Sequence, residues 1–129
     1  LSPSMRHEFL VNFLCRSAKR DGRMEIMGGL QRRPQIHVRD VADFFIKMLM
    51  IEPEFLAGEV FNAVGENPSV IEIARSIKEC LPGTKVVMVP ERPDELSYEM
   101  DGDKIWKRMK LKAEWSIRDG VEEILRARV

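Results

Sequence analysis

The chain has 129 residues, near the usual size of one domain, and its composition of 44% hydrophobic and 7% aromatic residues supplies an aliphatic, Met-containing core and excludes a disordered chain. Twenty-one basic residues balance twenty-one acidic ones, so no global field gathers nucleic acid or an anionic membrane, and any anion site has to be local. No apolar run is long enough to span a bilayer and no signal-peptide pattern opens the chain, which makes the cytoplasm the default location; the start at Leu1 rather than Met is what a piece of a longer protein would show.

In chain order, Ser4 can cap a helix with Phe9, Leu10, Phe13 and Leu14 on its apolar face, ended by Asp21-Gly22. Met24 to Met27 is a short strand closed by Gly28-Gly29. Gln35 to Val38 alternates like a strand, and Asp40 then caps a helix whose inward face is Val41, Phe44, Phe45, Met48 and Leu49. Glu59 to Val64 predicts another strand. Ser69 and Glu72 form a capping box over a helix carrying Val70, Ile73, Ala74, Ile77 and Leu81, stopped by Pro82-Gly83. Lys85 to Val89 is a β-branched strand, Pro90 to Leu96 a polar loop, and Asp101 or Asp103 starts a helix through Ile105 and Trp106. Ser116 caps the last helix, on Ile117, Val121, Ile124 and Leu125. Strands alternating with helices predict an α/β architecture, with residues 1–129 as a single unit.

Several chemistries are missing. No GxGxxG turn or Walker A loop occurs, His7 and His37 lack the partners of a triad or zinc site, and Cys15 and Cys80 stand alone on apolar faces as free thiols. These residues predict no complete catalytic set, no metal and no cofactor cradle of their own. What remains are arginines in loops beside strand ends: Arg33 after Gly28-Gly29, and Arg92 in "PERPDEL". Solvated surface arginines are the ordinary reading of such residues. Two guanidinium forks converging on one pocket are also what a diphosphate requires.

The order "GGLQRRPQIHVRDVADFF", "GEVFNAVGENPSVIEIARSIKECLPG" and "ERPDELSYEMDGDKIWKRMKLKAEWSIRDGVEEIL" resembles the C-terminal half of the extended short-chain dehydrogenases, the NAD-dependent sugar-nucleotide epimerases and dehydratases such as UDP-galactose 4-epimerase. That family usually reads Gly-Asp-Gly-x-Gln-x-Arg-Asp-Phe before a Val-His-Val-like strand; here Gly29, Gln31, Arg33, His37, Val38 and Asp40 match, while Pro34 and Gln35 depart. Its Arg-Pro-Gly-Asp loop appears as Arg92-Pro93-Asp94-Glu95. The resemblance implies a substrate-binding part of a Rossmann-type fold in which Arg33 and Arg92 hold the diphosphate of a nucleoside-diphosphate sugar. Gln31 and Tyr98 fall at substrate-side positions, Arg32 where the family varies and lies on the surface, and Asn62 and Ser69 at structural ones.

The same resemblance implies that NAD, a Gly-rich loop and a Tyr/Lys pair belong to an N-terminal half, that hydride passes to and from NAD in a homodimeric whole enzyme, and that this portion alone is inactive. It also implies that the "EVFNAV" strand, which borders the dinucleotide-binding sheet, has an unpaired edge here. A non-catalytic module binding sugar nucleotides or a partner chain is the alternative. A DNA-binding reading of "SVIEIARSIKECL" is opposed by the strand that follows it and by the zero net charge.

Overall fold

The computed structural model describes residues 5–89 and 96–127. Its elements are α1 (Leu10–Asp21), β1 (Arg23–Met27), α2 (Val38–Met48), a 3-10 turn (Pro53–Phe55), α3 (Val70–Cys80), β2 (Lys85–Val89), α4 (Asp103–Met109) and α5 (Ile117–Arg126). The two strands pair in parallel, Arg23 with Lys85 through Met27 with Val89. A parallel pair needs a long crossover, and α2 and α3 lie in it. The α/β reading therefore holds.

Alternation sets the sheet's buried face: Met24 and Ile26 are fully covered, whereas Arg23, Glu25 and Met27 are exposed. α1 and α3 cover that face, and α5 packs on both helices. Leu14, Ile73, Ile77 and Val121 meet there in a dry core with Cys15. Burial pushes the Cys15 thiol up to about 12, and a nearby Cys80 adds to the shift, so Cys15 is an inert core side chain. A smaller cluster joins α2 to α4 through Phe44, Ile105 and Leu111, with Phe61 and Ile36 against it.

Local chemistry ends the helices as the sequence indicates. Gly22, at φ 65°, closes α1 with its N–H on the Ala18 carbonyl. Ser69 and Glu72 form a reciprocal capping box on α3, and Ser116 and Asp119 form another on α5. The Ser69 backbone N–H, and then its hydroxyl, hold the Glu72 carboxyl below the usual glutamate range. Asp119 is lowered in the same way, first by the Ser116 hydroxyl and then by its N–H.

Other expectations are corrected. Ser4 lies outside the described residues; Phe9 is the N-cap of α1, and Phe9 and Phe13 are half exposed while Leu14, Cys15 and Ala18 turn inward. Gln35 to Val38 forms no strand. Gln35 makes a single antiparallel bridge to Glu66, and His37 already caps α2, its Nδ1 accepting from the Arg39 N–H at 3.2 Å. Asp40 is thus inside the first turn, buried, with its carboxylate accepting the backbone N–H groups of Glu114 (3.0 Å) and Trp115 (3.1 Å). Phe45 and Leu49 face outward. Glu59 to Val64 forms no strand either, because an extended segment becomes one only beside a partner. Among the described residues it has none, and the Val60 carbonyl instead accepts from Lys104 Nζ at 2.8 Å.

Both capping carboxylates have lowered values, so their contribution to stability is complete above the unfolded-state pKa of about 4 and is lost as pH falls through the lowered folded-state values. In Glu72→Gln, Asp119→Asn, the drop in urea midpoint between about pH 7 and about pH 3 is expected to shrink, as read by far-ultraviolet circular dichroism. An unchanged drop would remove these caps from the acid response.

Candidate functional site

The chain leaves β1 through two glycines that no other residue replaces without strain, Gly28 at φ 73° and Gly29 at φ 122°. Beneath them lies the buried Gln31 side chain. Its Oε1 accepts from the Gly29 N–H at 2.5 Å and its Nε2 donates to the Met27 carbonyl at 2.6 Å. The loop is then fixed to the start of α3: the Ile71 N–H reaches the Gly29 carbonyl at 2.9 Å and the Val70 N–H the Gln31 carbonyl at 3.1 Å. These bonds pair backbone groups of the turn and of the first turn of α3.

This anchored loop presents Arg32 and Arg33 in different ways. Arg33 is half-buried. Its guanidinium donates to the Arg32 carbonyl (2.9 Å) and to the Leu96 carbonyl, and lies 5.9 Å from the centre of the Tyr98 ring. Arg32 lies on the surface, as expected, and is bonded there to Asn67, Ser97 and Glu99. It forms an ion pair with Glu99 at 3.0 Å and donates through Nη1 to the Asn67 carbonyl at 2.6 Å. Its backbone N–H donates to Ser97 Oγ at 2.9 Å.

Parallel pairing aligns the outgoing chains. Met27 sits opposite Val89, so the loop bearing Arg33 and the chain beyond Val89 leave the same end of the sheet, and Leu96 returns at the Arg33 guanidinium. In open α/β sheets this carboxyl end is where ligands lodge. A cavity of about 390 Å³ opens there, touched by Gly28, Leu30, Gln31 and Ser97. Arg92 lies outside the described residues, between these two anchors in sequence. The structure thus gathers Gln31, Arg33 and Tyr98 in one neighbourhood, with Gln31 as the turn's scaffold and Arg33 and Tyr98 facing each other.

A second cavity, about 410 Å³, lies where the segment entering α1, the start of α2 and the start of α5 meet, among Met5, Phe9, Val41, Ile117 and Ile124. At its edge the His37 ring stacks on Trp115 at 4.8 Å, and Nε2 donates to Glu123 at 3.1 Å, the tautomer required by the Nδ1 cap. This is a joint between α2 and α5: Arg39 reaches the same Glu123 and covers the other ring. Among the described residues no His, Cys, Asp and Glu cluster could hold a metal, and no helix is long and apolar enough to cross a membrane. β1 leads through Gly28-Gly29 into a ten-residue stretch before α2, and not directly into a helix N-terminus of the kind that cradles a pyrophosphate.

No family model matches the chain. Solved structures of similar shape include a UDP-N-acetylglucosamine 4-epimerase from Bacillus cereus (TM-score 0.77, 20% identity, covering 95% of this chain and 45% of that one). Another is an NAD-dependent NDP-hexosamine 5,6-dehydratase involved in tunicamycin biosynthesis (0.78, 24%, 97% and 41%). A third is an L-threonine dehydrogenase from Phytophthora infestans (0.80, 14%, 97% and 43%). The chain has the fold of the matching part of these short-chain dehydrogenase structures. The chain spans less than half of each of these structures, in keeping with the C-terminal half that the motifs indicate. The threonine dehydrogenase shows that this short-chain dehydrogenase fold does not itself choose the substrate.

Sequence reasoning missed Asn67, Ser97 and Glu99, which surround Arg32. Their spacing carries no signal, because their partners come from segments over thirty residues away. A Cβ on Gly28 would stand 2.8 Å from Gln31 Oε1 at a φ that side chains rarely adopt. Gly28→Ala is expected to lower stability by about 1–3 kcal/mol in denaturant titration, and wild-type stability in that variant would contradict the scaffold role of Gln31.

Proposed function

We propose that this chain is the nucleotide-holding portion of an NAD-dependent epimerase or dehydratase acting on a nucleoside-diphosphate sugar. The observation that carries this reading is the convergence at the carboxyl end of the parallel pair, where Arg33, from the loop after β1, meets Leu96, from the chain after β2. Arg33 and Arg92 are the proposed diphosphate ligands. A diphosphate offers paired oxygens to a guanidinium fork, and each charge-assisted contact contributes about 1.5–3 kcal/mol. Tyr98 stands over Arg33 and lends its ring as one wall, and Gln31 keeps the turn in shape. Holding the remote diphosphate orients the sugar for chemistry performed elsewhere.

NAD belongs in this reading to another half of the enzyme. The apolar surface supports it: Phe45, Ile46, Leu49 and Met50 on and after α2 are all more than half exposed. Such a surface is costly in water and suits a docking partner such as a dinucleotide-binding sheet and its helices. The whole enzyme is proposed as a cytoplasmic homodimer, and residues 1–129 as one unit within it. A second reading, a non-catalytic module that binds sugar nucleotides or a partner chain, draws on the missing GxGxxG and Walker A patterns in the sequence.

Calorimetric titration of UDP-, dTDP- and GDP-sugars into this chain, and into the chain extended upstream by a dinucleotide-binding half, tests the proposal. Micromolar binding by the extended form, abolished by Arg33→Ala, Arg92→Ala, is the expected result. Binding with no turnover by the extended form would favour the module. Absence of binding by both forms, each shown to be folded, would sink the nucleotide reading.

A further inference from the structure

We propose that Arg32 and Asn67 are positioning residues that clamp residues 96–100 across the end of the sheet and so fix the orientation of the Arg33 guanidinium; the use of that guanidinium as a diphosphate ligand rests on the functional reading above. Apolar burial holds little of this segment, since only Met100 among residues 96–100 is half-buried. Leu96 and Tyr98 are 63% and 49% exposed, and Ser97 and Glu99 also face solvent. Besides the Arg33 bond to the Leu96 carbonyl, Arg32 and Asn67 hold it through a set of polar bonds. Arg32 offers its N–H to Ser97 Oγ (2.9 Å), accepts the Tyr98 N–H on its carbonyl (3.3 Å) and pairs its guanidinium with Glu99 (3.0 Å).

Asn67 completes the clamp. Its Nδ2 donates to the Met100 carbonyl at 3.0 Å while its Oδ1 accepts the Met100 N–H at 2.9 Å, so one carboxamide reads a backbone residue in both directions, as a neighbouring strand would. Arg32 Nη1 then locks Asn67 by its own carbonyl at 2.6 Å. The two adjacent arginines divide the work. Arg32 is committed to protein groups, and the segment it restrains supplies the Leu96 carbonyl and the Tyr98 ring against which Arg33 is set.

Each exposed bond is weak alone, so losing one partner opens the segment locally without unfolding the core. Hydrogen exchange by NMR on the full chain, comparing wild type with Asn67→Ala and Arg32→Ala, tests this. The Met100 amide in Asn67→Ala and the Tyr98 amide in Arg32→Ala are expected to exchange about tenfold faster, with Leu14 and Ile77 amides unchanged. The Arg33 side-chain Nε–H resonance is expected to move to the position of a solvated arginine in both variants. Unchanged exchange at both amides, acceleration shared equally by Ile77, or an unmoved Arg33 resonance would overturn the clamp.

UDP titration of the same variants, in whichever form of the protein binds UDP, adds the link to ligand: about tenfold weaker binding is expected from loss of preorganisation. Undiminished UDP affinity alongside an opened segment would overturn the positioning role. If no form of the wild-type protein binds UDP, the nucleotide reading fails separately, and the exchange and Arg33 resonance still decide the clamp.

Discussion

The parallel pairing of β1 with β2 is the constraint on which the candidate site depends. Two antiparallel strands would send their outgoing loops to opposite ends of the sheet. A parallel pair in which Met27 faces Val89 sends both to one end, at the cost of a crossover long enough to contain α2 and α3. That crossover is useful in itself: α3 covers the sheet's apolar face, and its capped N-terminus receives the loop that leaves β1. The core and the arginine-bearing loops thus have one origin.

Buried polar side chains do the joining that five-residue strands cannot. Gln31 satisfies the turn after β1, Ser69 begins α3, and Asp40 reaches from α2 to the N–H groups of Glu114 and Trp115 just before α5. Every buried side-chain nitrogen and oxygen among the described residues finds a partner. Fully satisfied polar contacts of this kind specify one arrangement more sharply than they stabilise it.

Features with local causes were legible in the sequence. Ser69 with Glu72, Ser116 with Asp119 and Gly22 announce helix ends because each acts on backbone within four residues, and the apolar spacing of Ile73 and Ile77 exposes the inner face of α3. Features with distant causes were not. Glu59 to Val64 has the composition of a strand, but composition cannot say whether a neighbour stands beside it. Asp40 has the chemistry of a cap, yet the N–H groups it accepts are over seventy residues away. Of the site, Arg33 was visible through its motif. The partners of Arg32 were hidden in turn-like residues around Asn67 and in the exposed stretch after residue 95.

Helical periodicity failed on α2 for a related reason. Phe44 turns into the small cluster with Ile105 and Leu111, while Phe45 and Leu49, on the same apolar stripe by spacing, remain exposed. The stripe is wider than the surface it covers in this chain. The inner part of the stripe is matched by α4 and the loop before α5. The outer part, extended by Ile46 and Met50, lies close in sequence to Val60 on the unpaired segment. That outer face is apolar surface which neither α4 nor the loop before α5 covers, so the spacing that marks a buried stripe also marks residues left in water.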